Sequence, residues 1–184
     1  MRFALNTILL AGAFLVLPAA AAAQGAMSDE EIIKSAESAA PAAVGQNATV
    51  VAMDDQMNMR TVREGTNGFT CMPDNPQSPG ADPMCFDKGG VAWAQAWMSK
   101  QEPPKGMVGM AYMLAGGSDA SNTDPYATAP AAGGAWVDTG PHIMIFNAGE
   151  AANNYPKQAD SPDTKSPYVM WAGTPYEHLM IPVE

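Results

Sequence analysis

The chain of 184 residues carries 19 aspartates and glutamates against 9 lysines and arginines, which gives a formal charge of −10 at pH 7. An acidic surface repels phosphate groups, so we expect neither nucleic acid nor anionic membranes among its partners. The same charge attracts cations only non-specifically, and it does not by itself identify a ligand.

The N-terminus has the three parts of a secretory signal peptide. Arg2 supplies the positive charge, residues 3–18 are mostly apolar, and the alanines at 19–23 supply the small residues of a cleavage site, most simply after Ala23. A transmembrane anchor needs about 20 apolar residues, and this run ends in weakly hydrophobic alanines with no basic cluster after it. We therefore predict export to the periplasm or the outside, with residues 1–23 removed and no membrane anchor left.

Residues 24–47 are predicted to form an N-terminal helix and a linker. Ser28 followed by Glu31 has the pattern of a capping box, and Pro41 ends the helix that it starts. Residues 48–184 then fit one domain on the length of the segment.

Short apolar segments bounded by turn residues predict strands in the rest of the chain, and Trp93 and Trp97, four residues apart, indicate a helix. The predicted strands are residues 48–53, 59–63, 107–114, 135–138, 142–147, 168–171 and 177–183, and the helix, capped by Asp87, covers residues 91–100. The strand at 107–114 is apolar enough to be buried on both faces. Turns rather than crossover helices connect these strands, so the expected fold class is α+β, a mainly antiparallel sheet with one or two packing helices and long polar loops.

The two cysteines of the chain are Cys71 and Cys85. In an oxidising compartment a single pair indicates one structural disulfide. It closes a loop of about 15 residues, for which chain entropy predicts ~3 kcal/mol of stabilisation. The enclosed residues 72–83 are mostly turn formers that could not fold on their own. A redox-active pair and thiolate metal ligands are the alternatives, and the spacing is far from Cys-x-x-Cys.

Both histidines of the chain occur in the same local pattern, His142-Ile-Met144 and His178-Leu-Met180. Side chains alternate along a strand, so each histidine shares a face with its methionine, and the aliphatic residues lie on the reverse. If the two strands are neighbours, two imidazoles and two thioethers come close together, and this ligand set suits Cu(I). The sequence thus predicts a copper site of His142, Met144, His178 and Met180. The alternative is core packing, in which methionine fills gaps.

In ligand chemistry these four residues resemble the periplasmic copper chaperones, which bind Cu(I) through His and Met with a His-x-Met element. The resemblance implies copper as the bound metal. That family is a β-sandwich with one His-x-Met element plus a separate His and Met. This chain has two such elements and predicted helices, so the fold of that family is not transferred to it.

Five longer stretches resemble segments of a group of exported bacterial proteins with no established activity. They span most of the predicted domain, and the resemblance implies one exported unit without implying a function. The stretches are Arg63–Cys71, Asp82–Asp87, Gly117–Pro125, Thr139–Met144 and Val169–Tyr176.

The chain contains no G-x-S-x-G nucleophile elbow, no P-loop and no dinucleotide-binding motif. No catalytic residue is assigned, and binding of a metal ion or small ligand is predicted rather than catalysis. One alternative is a secreted enzyme whose polar loops, including residues 118–124, form a cleft. The other is a metal-free interaction module.

Overall fold

The computed structural model describes residues 27–53, 58–157 and 161–183. The predicted signal peptide and residues 54–57 of the first predicted hairpin turn lie outside the described residues. In the part of the chain that is described, no helix is both long and apolar enough to cross a membrane.

A sheet of eight strands forms the centre of the fold, and every neighbouring pair is antiparallel except β1 and β3. Its strands are β1 (Thr49–Met53), β2 (Met59–Arg63), β3 (Thr70–Met72), β4 (Met84–Phe86), β5 (Gly109–Met113), β8 (His142–Phe146), β9 (Tyr168–Met170) and β10 (His178–Pro182), and a separate ribbon pairs β6 (Ser118–Asp119) with β7 (Val137–Asp138). The spatial order is β2-β1-β3-β4-β5-β8-β10-β9. Together with the helices, this sheet confirms the α+β class and the mainly antiparallel pairing.

The helices are α1 (Asp29–Glu37), α2 (Ala42–Gly45), α3 (Lys88–Met98) and a 3-10 helix at Gly149–Asn154. The predicted capping box starts α1, because the Glu31 backbone N–H donates to the Ser28 hydroxyl at 3.3 Å and the Ser28 N–H donates to the Glu31 carboxylate at 2.8 Å. Ile32 and Ala36 form the buried side of α1, next to the disulfide.

Helix α3 is held directly against β5. The Asp87 carboxylate caps the helix by accepting from the Gly90 N–H at 2.7 Å, and it also accepts from the Met110 N–H of β5 at 3.0 Å. A Cβ atom at Gly89 would lie 2.3 Å from the Val108 carbonyl oxygen, so only glycine permits this approach. The contact places Trp93 over the sheet, where its ring stacks on Phe146 with a centroid distance of 4.2 Å.

Sequence reasoning missed or misjudged several elements. Strands β3, β4 and β6 and helix α2 were not predicted, because turn-forming and proline-rich residues surround them and these strands are only two or three residues long. The prediction that β5 is buried on both faces was wrong. Its buried residues alternate, and Met110 and Tyr112 on the second face are only half-buried, because α3 covers one face of β5 while the second face meets the smaller cluster around α1.

Cys71 and Cys85 form the predicted disulfide, and both are fully buried. They stand directly opposite each other in the β3–β4 register. The loop between them is fastened to the rest of the fold by Asp82, whose carboxylate accepts from the Ser118 N–H of β6 at 2.6 Å. The stapled loop therefore helps to position β6 and the adjoining Gly117.

Removing the crosslink should lower the free energy of unfolding by ~3 kcal/mol, because the unfolded chain gains loop entropy. We expect this loss in a Cys71→Val/Cys85→Val variant, in which a cross-strand valine pair keeps apolar volume between β3 and β4. Urea unfolding of this variant, of a Cys71→Ala/Cys85→Ala variant and of the oxidised protein measures the difference. Equal stability of the valine variant and the oxidised protein would contradict a stabilising crosslink.

Candidate metal site

The two His-x-Met strands are neighbours, as the copper hypothesis requires. Strands β8 and β10 pair antiparallel, with Met144 directly opposite Met180. The aliphatic Ile145, Leu179 and Ile181 pack together on the reverse face, in a separate cluster from the methionines. The alternation of the two faces that the sequence predicts is therefore present.

The register separates the two histidines while it brings the two methionines together. His142 lies opposite Pro182, and His178 lies opposite Phe146. Four strand positions therefore separate the histidines, which is ~13 Å along the strands at about 3.3 Å per residue. They stand at opposite ends of the Met144–Met180 pair.

Two further methionines, which sequence reasoning did not assign to the site, complete this face. Met113 of β5 lies opposite His142, and Met170 of β9 lies opposite His178. Each histidine therefore has one methionine on its own strand and one on the outer neighbouring strand. We call these six buried residues the His–Met face: Met113, His142, Met144, Met170, His178 and Met180. Only strand pairing places Met113 and Met170 there, so no local sequence signal could have found them.

The backbone fixes the tautomer of both imidazoles. Nδ1 of His142 lies 2.7 Å from the Gly140 carbonyl oxygen, and Nδ1 of His178 lies 2.9 Å from the Tyr176 carbonyl oxygen. A carbonyl oxygen can only accept, so Nδ1 carries the proton in both rings and Nε2 carries the lone pair. Burial lowers the pKa of both side chains, that of His178 to about 4, so both rings are neutral near pH 7. A neutral imidazole with a free Nε2 lone pair is the form that binds metals.

The His142 end of the face contains polar atoms whose bonding capacity is unused. His142 is 1% exposed and Thr139 is 4% exposed, and within the described residues neither the Nε2 atom of His142 nor the Oγ1 atom of Thr139 has a hydrogen-bonding partner. A Cβ atom at Gly117 would lie 3.1 Å from His142 Cε1, 2.6 Å from Thr139 Oγ1 and 3.0 Å from Met113 Cε. The imidazole, the hydroxyl and the thioether methyl group therefore surround one point that only a glycine leaves free.

The His178 end is enclosed by aromatic rings. The rings of Trp171, Trp93 and Phe146 have centroids 5.0, 5.3 and 5.5 Å from that of His178, and both tryptophans stand nearly edge-on to it. The His178 imidazole is thus packed as a member of an aromatic cluster. The two ends of the His–Met face have the same ligand types and different surroundings.

A surface depression of about 190 Å³ lies beside the His142 end. Thr139, Gly140 and Pro141, which lead into β8, line it, and so does Pro182, the register partner of His142. A second depression of about 490 Å³ lies near Lys105 and Asn147, and it is wide open to solvent. Neither depression is lined by the polar loop at residues 118–124.

That polar loop is built from local turns. The Asp119 carboxylate accepts from the Ser121 N–H at 2.9 Å, and the Ser121 hydroxyl accepts from the Asp124 N–H at 3.0 Å. Burial, and more weakly the nearby Asp82 and Asp124, raises the pKa of the Asp119 carboxyl to about 6, and the charge of Asp119 acts in turn on the buried Tyr168. Among the described residues, no group of three or more His, Cys, Asp or Glu side chains could hold a metal ion.

Comparison of the chain with protein-family models, with curated proteins and with solved structures returns no match. The two resemblances drawn from the sequence stay predictions. The geometry of the His–Met face is the remaining guide to the function of this protein.

His178 should remain neutral far below the usual histidine range, because burial removes the water that would solvate its charged form. Its imidazole resonances in an NMR titration should move with a midpoint near pH 4, not near the ordinary 6.5. Since the folded pKa lies below the unfolded one, His178 contributes stability above pH 6.5 that is lost as the pH falls towards 4. A His178→Phe variant assigns the resonance, and a midpoint near 6.5 would show that the ring is not desolvated.

Proposed function

We propose that this protein binds Cu(I) at the His142 end of the His–Met face. His142 Nε2 and the thioethers of Met113 and Met144 are the proposed ligands, and Met180 lies directly beside Met144. The site belongs to a disulfide-bonded chain that we propose is exported, by virtue of its predicted signal peptide. The likeness in ligand chemistry to periplasmic copper chaperones agrees with this proposal.

One observation carries the proposal, namely the buried Nε2 atom of His142. A buried polar atom without a partner costs about 1–3 kcal/mol. Core packing accounts for methionines under a tryptophan, but it leaves the Nε2 lone pair of His142 without a donor among the described residues. A metal ion coordinated by Nε2 would recover this cost. The methyl group of Met113 lies at most 6.1 Å from His142 Cε1, since both atoms flank the same point beside Gly117.

The chemistry of the ligands favours copper in its reduced state. Thioethers are soft ligands that select Cu(I), whereas Ca²⁺ and Mg²⁺ require oxygen atoms. Zinc sites use thiolates, imidazoles and carboxylates. Both cysteines of the chain are joined in the disulfide, so neither provides a thiolate. The neutral imidazole adds no charge to a buried site, so a singly charged ion is buried at lower cost than a doubly charged one.

The alternative functions are a secreted enzyme that uses its polar loops as a cleft and a metal-free interaction module. Of these two alternatives, only the enzyme depends on the predicted long polar loops. The half-buried Asp119 carboxyl, with its raised pKa, is the feature that favours an enzyme. Neither of the two depressions described above is lined by Asp119, and copper binding is therefore the function that we put to the test.

We expect the disulfide-intact protein to bind one Cu(I) per chain in an anaerobic titration against a chromogenic chelator. His142→Leu removes the Nε2 ligand and should weaken binding by about a hundredfold, or ~2.7 kcal/mol. His178→Phe removes the other imidazole but keeps a ring in the aromatic cluster, so it should leave the Kd within about threefold of the original value.

The two variants are controls for each other, and circular dichroism checks that both are folded. Equal, weak binding by all three proteins would reject the metal site and return both His-x-Met pairs to a packing role. Equal losses in the two single variants would favour instead the four-residue site of His142, Met144, His178 and Met180.

The two outer methionines provide a second matched pair. Leucine is close to methionine in volume and lacks sulfur, so Met113→Leu should weaken Cu(I) binding by about tenfold while changing stability little. Met170→Leu makes the same change opposite His178 and should have no effect on binding. Chelator competition and urea unfolding of both variants measure this, and an unchanged Kd for Met113→Leu would exclude its sulfur as a ligand.

A further inference from the structure

Asp119 belongs to the short β6–β7 ribbon. Residues directly opposite each other in an antiparallel pair share a face. Val137 is opposite Asp119, and it packs against the core cluster that contains all four methionines of the His–Met face. Ser118, the other residue of β6, points to the stapled loop instead, where its hydroxyl donates to the Pro79 carbonyl oxygen. The side chain of Asp119 is therefore turned towards the His–Met face.

The segment around Asp119 crosses this face from one side to the other. Gly117, two residues earlier, is beside His142, since a Cβ atom there would lie 3.1 Å from His142 Cε1. The Ser121 carbonyl oxygen, two residues later, accepts from the indole N–H of Trp171, which follows β9, at 2.9 Å. Asp119 is halfway along the chain between these two contacts, so it lies between the His142 end of the face and the edge strand β9.

The hydroxyl group of Tyr168 relates Asp119 to the proposed ligands. Tyr168 is opposite Met180 in the β9–β10 register, and Met180 is opposite the proposed ligand Met144. Tyr168 is 2% exposed, and its hydroxyl has no hydrogen-bonding partner among the described residues. Burial, and then the charge of Asp119, raises the pKa of this hydroxyl. The Asp119 carboxylate therefore acts electrostatically on the row of side chains that contains Met144.

We propose, on the basis of the proposed function, that the Asp119 carboxylate is the counter-charge of the bound Cu(I) ion and that its protonation weakens Cu(I) binding. The proposed ligands His142, Met113 and Met144 are all neutral, so the ligand set does not compensate the positive charge of the ion. A buried charge without a counter-charge is costly. A nearby carboxylate offsets that cost through space, without coordinating the metal.

The charge state of Asp119 changes in a pH range that a Cu(I) titration can cover. Burial, and more weakly the negative charges of Asp82 and Asp124, raises the pKa of Asp119 to about 6. Tyr168 and His142, which belong to the face below it, are neutral near pH 7. Asp119 is therefore mostly charged at pH 7 and mostly neutral at pH 5. Because the coupling is reciprocal, a bound cation lowers the pKa of Asp119, and a proton on Asp119 weakens cation binding.

Asp119→Asn removes the charge and keeps an oxygen that can accept from the Ser121 N–H. At pH 7.5 we expect this variant to bind Cu(I) about tenfold more weakly than the original protein, measured by chelator competition with ascorbate as reductant. At pH 5 the difference should shrink to about twofold, because the carboxylate of the original protein has taken up a proton. Protonation of His142 occurs in both proteins, so the ratio of their Kd values at each pH isolates Asp119.

Asp124→Asn removes the same charge from the same loop and is the matched control. Asp124 is exposed, and its carboxylate accepts from the Tyr126 N–H at 2.9 Å. Its Kd at pH 7.5 should stay within about twofold of the original value, because solvent screens an exposed charge. A Kd ratio for Asp119→Asn that is the same at pH 7.5 and pH 5 would overturn the inference. An equal loss in Asp124→Asn would also overturn it, because the effect would then come from the net charge of the chain.

A measurement on the original protein covers the case in which Asp119→Asn does not fold. The ¹³C carboxyl resonance of Asp119 should titrate near pH 6 in the metal-free protein, and at a lower pH when Cu(I) is bound. Copper binding with the same midpoint in both forms would overturn the counter-charge alone and leave the proposed function standing. If the original protein binds no Cu(I) at pH 7.5, the proposed function fails and the counter-charge fails with it.

Discussion

The antiparallel register of β8 and β10 is the constraint on which the rest of the site depends. Because side chains alternate along each strand, a slip of one residue would turn every histidine and methionine of one strand to the opposite face. The observed register places Met144 opposite Met180 and the histidines at the two ends. The same register fixes which outer residues meet the histidines, since β5 and β9 pair with these strands in turn.

The two ends of the His–Met face show how surroundings decide what identical side chains can do. Both imidazoles are neutral, and both are fastened by a carbonyl oxygen two residues earlier in the chain. At one end the His142 ring carbon Cε1, the Thr139 hydroxyl and the Met113 methyl group surround the space beside Gly117. At the other end three aromatic rings enclose His178. A repeated sequence pattern has therefore produced two buried ends with different neighbours, one beside a glycine and a hydroxyl and one among aromatic rings.

Elements far from the two histidines position the site. The disulfide joins β3 to β4, and the loop that it closes is fastened through Asp82 to the N–H of Ser118. Gly117, which precedes Ser118, is the residue whose missing side chain leaves space beside His142. Helix α3 places Trp93 next to His178 at the other end of the His–Met face. It can do so only because Gly89 lets the helix touch the backbone of β5. Gly89 thus sets how closely α3 approaches β5, and Gly117 sets how closely the chain before β6 approaches His142.

The sequence by itself determined the local features of this protein: the capping box of α1, the cap at Asp87, the disulfide, the strands that contain His142 and His178, and the common face of each His-x-Met pair. These follow from the spacing of residues along the chain, which fixes the side-chain direction once an element forms. Only the tertiary structure decided the distance between the histidines, the recruitment of Met113 and Met170, and the burial of His142 Nε2 without a partner among the described residues. Those properties depend on which strands pair and in what register. Pairing of residues far apart in the chain is set by the packing of the whole sheet, which no local pattern records.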